Sequence, residues 1–236
     1  MKYFEVIISD TTWTCPKTGM WKIIAVGGGS SGVVRGYSGS SNRDVTKDVT
    51  LYSNGGDTLF GTDLTANGGI VVNGYKGHID NTVYTGFCYM TGGAGGYNLN
   101  TYGGTGAYSF SHNNLGAGDK TYISSPSTGN GGSIGCQGLG YGAGGALNFA
   151  IYNNSNGNYF CLESGMSSAG VLNETVIDIS ANTSYTCTIG KGGSITQEEL
   201  NTFKTNIGYD STYFLPSDVG YGRDGCIVVQ YVGESY

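Results

Sequence analysis

The sequence is poor in charged residues and in proline, and it lacks the charge pattern of several protein classes. Charged residues make up 12 % of the 236 positions, and there are only 3 prolines and 2 histidines. Acidic residues outnumber basic ones by 17 to 11, the net charge is −6, and no Lys or Arg cluster is present. Because nucleic-acid binding depends on clustered positive charge, we expect no nucleic-acid partner.

Long apolar runs are also missing. A membrane-spanning helix needs about 20 apolar residues, and no stretch approaches that length. Residues 1–13 do not combine a basic region with an apolar core, as a signal peptide would. We therefore expect no membrane span, and synthesis and folding in a cytoplasm. The six cysteines show no CxxC spacing, so we interpret them as buried small hydrophobic side chains and expect no metal ion.

Glycine, in contrast, supplies 44 of the 236 residues. Each glycine forced into a strand or helix costs about 0.5 to 1 kcal/mol relative to alanine, so this composition needs compensation. A collagen helix is excluded because no strict third-position repeat is present, and 19 Tyr, 8 Phe and 2 Trp argue against disorder. We expect backbone packed closely on backbone, hydrogen bonds between neighbouring segments, or association with other subunits to offset the cost.

Short apolar and β-branched runs predict an all-β fold. The clearest predicted strands are at residues 3–8, 13–16, 20–26, 183–189 and 225–232. Shorter ones are predicted at 49–53, 69–72, 82–90, 147–152, 158–162 and 175–179. The last strand should pair near the first ones, because its backbone groups need partners and no strand follows it.

A single helix interrupts this pattern. Thr196 and Glu199 have the spacing of a capping box, and Gly208 is a natural C-terminal stop. Leu200, Phe203 and Ile207 lie on one face at helical spacing. We expect a short inserted helix that packs on the β-sandwich.

Three segments match the pattern G-x-G-x-x-G. They are Gly27, Gly29, Gly32; Gly140, Gly142, Gly145; and Gly220, Gly222, Gly225. A dinucleotide site needs this pattern between a strand and a helix. Residues 33–43, after the first match, are polar and broken by glycine, so they supply no helix N-terminus for a pyrophosphate. Residues 190–194 lack the order of a phosphate-binding loop, and we expect no cofactor.

Routes to catalysis are few. The two histidines, His78 and His112, have no G-x-S-x-G elbow beside them. Glycoside cleavage needs two carboxylates about 5 to 10 Å apart, and the sequence leaves that route open. The candidate pairs are Asp57 with Asp63 and Glu163 with Glu174. The simpler interpretation is that these acids are solvated or cap turns, so we predict no catalytic residue and no enzyme.

Tyrosines occur among the glycine stretches, where a ring can cover backbone and still offer its hydroxyl to a ligand. They are Tyr97, Tyr102, Tyr108, Tyr141 and Tyr152. We consider Tyr97, Tyr102, Tyr108 and Tyr141 candidates for receptor contact, because rigid aromatic rings supply contact area at small entropic cost. The alternative is that these rings fill the volume that the glycines leave.

The order of these features resembles the glycine-rich domain of bacteriophage and prophage tail proteins, including tail-fibre adhesins. The matching stretches are 13–32, 55–69, 92–97, 140–146, 184–194 and 222–232, which together span nearly the whole chain. The helix-bearing segment 194–219 is longer than the linker usual in such domains. The tract 29–54 is poorer in glycine, so its loops cannot be inferred from the family.

The resemblance implies one domain over residues 1–236, a β-sandwich with glycine-rich excursions that in some adhesins are polyglycine II helices. It also implies a structural role in the virion, with host contact and no enzyme activity. The expected partners are other virion proteins and a host cell-surface receptor or polysaccharide. Without a separate attachment module, the domain would bind the particle directly or as a symmetric oligomer, by analogy a trimer. Alternatives are a capsid-surface or head-fibre decoration protein, a capsule-degrading tailspike glycosidase, and a bacterial cell-surface binding module.

Overall fold

The computed structural model describes residues 3–41, 44–71, 86–91, 109–115, 140–145, 150–155, 158–165, 168–208 and 221–234. Over these ranges the fold is all-β, with antiparallel sheets and one short helix. The strands are β1 (Phe4–Ile7), β2 (Thr11–Thr14), β3 (Gly19–Val26), β4 (Val33–Ser41), β5 (Asp44–Leu51), β6 (Thr58–Phe60), β7 (Leu64–Ala66), β8 (Gly86–Thr91), β9 (Ser109–Leu115), β10 (Ala150–Ser155), β11 (Asn158–Gly165), β12 (Leu172–Ile179), β13 (Ser184–Thr188) and β14 (Cys226–Gly233). The helix is α1 (Gln197–Ile207).

Two four-stranded antiparallel sheets form a sandwich. Their strand orders are β1–β14–β3–β12 and β2–β13–β6–β7. The prediction that the last strand pairs near the first ones is confirmed, because β14 lies between β1 and β3. In β3, Trp21, Ile23 and Ala25 alternate with residues of the other face, and they point into the core between the two sheets.

Aromatic rings dominate that core. Trp13 of β2 packs edge-on against Trp21 of β3, with 5.2 Å between the ring centroids. Phe60 of β6 stacks on Tyr185 of β13 at 4.4 Å. Contacts of this kind add about 0.5 to 1.5 kcal/mol each beyond the area that they bury. The Trp13–Trp21 contact therefore joins the two sheets, while the Phe60–Tyr185 pair packs within one of them.

Seven glycine-containing segments that are neither helix nor strand run side by side at one end of the sandwich, and we call them the glycine bundle. They are residues 27–31, 53–56, 67–71, 142–145, 168–171, 190–193 and 222–225. Segment 27–31 lies at the centre. Its successive N–H groups turn to three different neighbours, and the rotation starts again after three residues. The bonds are Gly27 N–H to Val171 O (3.0 Å), Gly28 to Gly56 (2.9 Å), Gly29 to Arg223 (2.9 Å), Ser30 to Ser168 (2.9 Å) and Ser31 to Ser53 (2.8 Å).

The carbonyl groups of the central segment face the other three neighbours. Gly28, Gly29 and Ser30 accept from Gly69, Gly193 and Gly145, each at 2.7 Å. Each outer segment is also hydrogen-bonded to the next, so that 53–56, 67–71, 168–171, 142–145, 222–225 and 190–193 form a closed ring. A three-residue repeat without internal hydrogen bonds is the geometry of a left-handed polyglycine II helix. The bundle is thus one such helix surrounded by six neighbours.

Glycine is required in the bundle because the segments touch through their backbones. A Cβ atom on Gly28 would overlap the carbonyl oxygen of Lys191, and one on Gly29 would overlap that of Ala143. The same holds for glycines of the ring, among them Gly55, Gly68, Gly170, Gly190, Gly192 and Gly222, each against a neighbouring carbonyl oxygen. The described parts of all three G-x-G-x-x-G matches lie in or directly beside this bundle. These glycines therefore serve backbone packing, with no helix following the first match.

Beyond the bundle lies a third antiparallel sheet, which we call the distal sheet, with the strand order β10–β11–β4–β5. Strands β8 and β9 form a two-stranded antiparallel sheet, in which β8 also lies against β11 and β10. Helix α1 has the predicted capping box and the predicted buried face, and it ends at Gly208 in the left-handed region (φ 70°, ψ 42°). Its predicted position was wrong. It packs on β5 and β4 of the distal sheet rather than on the sandwich, because it follows bundle segment 190–193, which leads away from β13.

Two other regions differ from the predictions. Residues 69–71, predicted as part of a strand, belong to the bundle instead, with Ile70 exposed. Residues 33–48, for which no structure was inferred, form β4 and most of β5, with register shifts near Gly39, and the predicted strand at 49–53 overlaps the end of β5. The first difference arises because hydrogen bonds to neighbouring bundle segments, rather than local propensity, decide the structure of residues 69–71.

The bundle predicts a sharp difference between two glycine-to-alanine substitutions. Gly29→Ala should lower the free energy of unfolding by at least about 4 kcal/mol, or prevent folding, because the new methyl group overlaps the Ala143 carbonyl. Gly233→Ala in β14 is the matched control, since its methyl group would meet nothing within 4 Å. It should change stability by no more than about 0.5 kcal/mol. Urea unfolding of both variants tests this, and equal midpoints would contradict the backbone-packing argument.

Candidate functional site

The glycine bundle separates the sandwich from the distal sheet. Three of its segments join the two directly: 27–31 connects β3 to β4, 53–56 connects β5 to β6, and 168–171 connects β11 to β12. Segment 190–193 connects β13 to α1 in the same way. The distal sheet and α1, which we call the distal end, are therefore held on several parallel segments of rigid backbone.

The first and last strands lie together at the opposite pole. Tyr231 donates its N–H to the carbonyl of Tyr3 at 3.0 Å, and Gly233 is paired with Met20, at the end of β3 remote from the bundle. Lys17 forms an ion pair there with Glu234 at 3.0 Å. The pole where β1 begins and β14 ends is thus separated from the distal end by the length of the sandwich and the bundle.

An open groove lies at the distal end between β5 and α1. Its volume is about 400 Å³. It is lined by Val49, Thr50 and Leu51 of β5 and by Thr196, Glu198, Glu199, Thr202, Phe203 and Asn206 of the helical segment. The lining combines apolar side chains with hydroxyl, amide and carboxylate groups, a mixture suited to binding an external ligand. We call it the β5–α1 groove.

The N-terminal cap fixes the wall of this groove. The Glu199 carboxylate accepts hydrogen bonds from the backbone N–H and the hydroxyl of Thr196, both at 2.8 Å. In return, the Thr196 hydroxyl accepts the Glu199 N–H at 3.2 Å. The hydrogen bonds from the Thr196 backbone and side chain lower the pKa of Glu199 below its ordinary value. Glu198, one residue earlier, takes no part in this cap.

Of the tyrosines considered for receptor contact, Tyr141 is the one whose surroundings the structure describes. It is half-buried and packs against the cluster of Ile24, Val26, Cys226 and Val228, where the sandwich meets the bundle. Its contacts fit the volume-filling alternative, whereas its role in receptor contact stays a prediction. Tyr97, Tyr102 and Tyr108 lie outside the described residues. Tyr152 lies in β10, and its side chain is likewise outside them.

The acidic side chains that could have formed a catalytic pair hold the fold together where they are described. Asp57 accepts the N–H of Gly68 at 2.8 Å, within the bundle. Asp63 accepts from the Thr62 hydroxyl at 3.3 Å in the turn after β6. Glu174 pairs with Lys22 across β12 and β3 at 2.8 Å. Glu163 lies in β11, and its side chain is outside the described residues. The turn-capping interpretation suits Asp57 and Asp63.

The described residues contain no metal site and no membrane-spanning helix. His112 lies in β9, and His78 falls outside the described residues. In the part of the chain that the structure describes, no group of three or more His, Cys, Asp or Glu side chains could hold a metal ion. No described helix is long and apolar enough to cross a membrane.

Three cysteines are described with their surroundings, and all three are buried free thiols, as predicted. They are Cys15, Cys187 and Cys226. Burial raises the pKa of Cys226 to about 12, and it also raises that of Cys187. Cys187 and Cys226 are therefore protonated and unreactive at neutral pH.

Comparison with models of known protein families, with curated proteins and with solved structures finds no match to this chain.

Sequence reasoning did not find the β5–α1 groove. The amphipathic pattern of residues 197–207 gave the buried face of α1, but nothing in it indicated which sheet that face would meet. The signal that was available is the alternation of Val49, Thr50 and Leu51 at the end of β5, which indicates a half-exposed strand. Where that strand lies depends on the bundle.

The lowered pKa of Glu199 predicts a specific loss of stability in acid. A carboxylate with a lowered folded-state pKa stabilises the fold above its unfolded pKa, and that stability is lost as pH falls through the folded value. Thr196→Ala removes the hydroxyl that donates to the Glu199 carboxylate, so it should return the pKa of Glu199 towards its ordinary value. NMR titration of the Glu199 side chain in both proteins measures this directly. An unchanged pKa in the variant would contradict the capping geometry.

The buried thiols predict resistance to alkylation. In the native protein at pH 8, the peptides that contain Cys15, Cys187 and Cys226 should stay unmodified by iodoacetamide, since each thiol is buried and inaccessible to the reagent. The same peptides should be modified completely in guanidinium chloride. Peptide mass mapping gives the readout, and rapid native modification of Cys226 would contradict its placement.

Proposed function

We propose that this chain is a structural protein of a bacteriophage particle, a tail or fibre component that contacts the host surface. One observation carries the proposal: a bundle of hydrogen-bonded backbone segments holds the distal sheet and α1 away from the pole where the first and last strands meet. An attachment protein needs two separated surfaces, one for the particle and one for the host. The resemblance to glycine-rich tail domains supports the same assignment.

The bundle also suits mechanical and chemical exposure outside a cell. Its segments are held by backbone hydrogen bonds that side-chain chemistry cannot remove. Segments 27–31, 53–56 and 168–171 each run between the sandwich and the distal sheet. A tensile force on the distal end is therefore shared among several parallel backbone segments. We propose that the sandwich pole faces other virion proteins, and that the chain acts without catalysis as a homo-oligomer, by analogy a trimer.

The proposal predicts that blocking the distal end abolishes binding to host cells. We expect fluorescent protein to bind bacteria that are susceptible to the phage and to slow phage adsorption. Asn201→Cys, on the exposed face of α1, should lose cell binding after coupling to polyethylene glycol. Ala181→Cys, in the exposed turn after β12, is the matched control and should retain it. Polymer-treated wild-type protein gives the baseline for native cysteines.

Two results would contradict the proposal. The first is equal cell binding by the two coupled variants, which would remove the role of the distal end. The second is the absence of the protein from purified particles by immunogold microscopy. Release of reducing sugar from host polysaccharide by the purified protein would instead favour the tailspike glycosidase, which the acidic pairs left open in the sequence.

A further inference from the structure

The sheet β1–β14–β3–β12 carries exposed apolar side chains at both edges of its outer face, which turns away from the second sheet of the sandwich. Phe4 of β1 is 57 % exposed, and Ile8, directly after β1, is 56 % exposed. At the opposite edge, Leu172 and Val176 of β12 are 41 % and 50 % exposed. We call these two pairs the β1 strip and the β12 strip. Apolar patches that stay open on a folded surface mark sites of association.

The alternation of side chains along each strand places both strips on the outer face. Ile7 of β1 and Ile179 of β12 belong to the core between the two sheets, and Ile177 packs against that core. Successive side chains of a strand point to opposite faces of the sheet. The even-numbered residues of both strands, which include those of the two strips, therefore turn away from the core.

The two strips also lie at the same levels along the sandwich, because paired residues of successive strands form rows across the sheet. One row consists of Phe4, Gln230, Lys22 and Val176. The row nearer the bundle, in which Ile8 follows the Ile7–Ile227 pair, consists of Ile8, Cys226, Val26 and Leu172. A rotation about the long axis of the molecule, without a shift along it, would therefore bring the β1 strip of one copy level with the β12 strip of the next.

Contact between two different surfaces of identical chains is heterologous, and it closes into a ring when the rotation carries no translation. Equal levels of the two strips satisfy that condition. Their charges do not oppose it. Glu174, between the two residues of the β12 strip, is paired with Lys22 at 2.8 Å. On β1, the Glu5 carboxylate accepts a hydrogen bond from the ring N–H of Trp13 at 3.1 Å. Neither strip therefore brings an unpaired carboxylate into the contact.

The middle of the face indicates how many copies the ring holds. Tyr141 packs there against Ile24, Val26, Cys226 and Val228, so two such faces cannot meet flat. Four strands at a spacing of about 4.8 Å make the face about 19 Å wide, and in a triangular ring its middle would lie about 5 Å from the axis. That distance accommodates one layer of side chains. Three copies would thus join at their edges, with the Tyr141 side chains near the centre.

The size of the contact suits a ring better than a pair. The exposed parts of the four strip side chains amount to on the order of 400 Å² of apolar surface. Since interfaces are about 60 % apolar, one contact would bury on the order of 700 Å² in total. A stable pair needs about 1,200 Å². In a closed ring each chain is held by two contacts, and the last contact to form is intramolecular, so closure strengthens the assembly.

We propose that three copies of this chain form a ring around their long axes, in which the β1 strip of each copy packs against the β12 strip of the next. Phe4 then lies against Val176 of the neighbouring copy, and Ile8 lies against its Leu172. All three distal ends point the same way, because rotation about the long axis keeps their direction. The ring gives an interface to the homo-oligomer of the proposed function, but it does not depend on the phage assignment.

Sedimentation velocity at concentrations of about 1 to 100 µM measures the assembly. The wild-type protein should show monomer and trimer with little dimer. Phe4→Lys should weaken trimer formation by about ten-fold or more, because it places a charge in an apolar contact. Thr12→Lys adds the same charge at an exposed position of β2, in the second sheet, and serves as the matched control with a change of less than about two-fold. Thermal unfolding confirms that both variants are folded.

A charge pair tests which residues meet across the contact. Val176→Glu alone should weaken trimer formation as Phe4→Lys does. Combined in one chain, the two substitutions should recover about three-fold or more of the loss at low salt, because opposite charges then meet at every contact. Phe4→Lys combined with Leu172→Glu is the matched control. It should not recover, because Leu172 lies four residues away from Val176 along β12, about 13 Å.

Each outcome bears on the ring separately from the proposed function. A protein that stays monomeric at the highest concentration, a dimer in place of the trimer, or an oligomer that neither strip variant weakens overturns the three-copy ring. Equal recovery in the two double variants overturns the pairing of levels. None of these results concerns the distal end, whose contact with host cells is measured by the polymer-coupling assay. Trimers that respond to the strip variants but bind no host cells support the ring and contradict the host-contact role.

Discussion

The middle of this molecule is governed by the need of every buried backbone N–H and C=O group for a partner. A strand inside a sheet meets that need with two neighbours. Segment 27–31 meets it with six, because its polar groups turn to a new direction at each residue and return after three. Six neighbours can approach so closely only where side chains are absent. This condition explains why glycine is concentrated in short blocks at the junctions between sandwich and distal sheet, with one block directly after β3 and others directly before β12 and β14.

The same need for hydrogen-bond partners makes the sandwich, the glycine bundle and the distal sheet depend on one another. Residues 27–31 find their partners 22 (Ser31 to Ser53) to 194 (Gly29 to Arg223) positions away, so no part of the bundle is complete until distant segments have come together. Such long-range pairing is slow to form, because chain entropy is lost before the contacts compensate for it. Once formed, the arrangement leaves few ways to open locally. Asp57 and Asp224 strengthen it from outside by accepting N–H groups of Gly68 and Gly192 at 2.8 Å each.

Local sequence patterns were sufficient to predict the elements whose residue types and spacing are themselves diagnostic. The capping box and apolar face of α1, and the strands that contain Trp13, Trp21 and Ile227, could be predicted from residue type and spacing alone. The position of α1 could not, because its apolar face suits either sheet and the choice follows from bundle segment 190–193. Residues 69–71 were wrongly predicted as a strand, because isoleucine and valine favour extended backbone, whereas tertiary packing decides which segments lie beside that backbone. The β5–α1 groove could not be predicted, because it depends on the positions of both β5 and α1 in the fold.

In this fold the glycine bundle must be conserved in structure, whereas the segments between its glycine blocks can vary. The chain leaves the bundle at Ser31, passes through β4 and β5, and returns to the bundle at Ser53. The Ser31 N–H donates to the Ser53 carbonyl, and the Ser53 N–H donates to the Ser31 hydroxyl oxygen, both at 2.8 Å. The entropy cost of closing a loop rises only slowly with its length. Hairpins of other sequences could therefore be exchanged between the same two serines, provided that they keep the pairing of β4 with β11 and the packing of α1 on β5. The bundle is in this respect a ready-made scaffold for diversification, by natural recombination or by grafting in the laboratory.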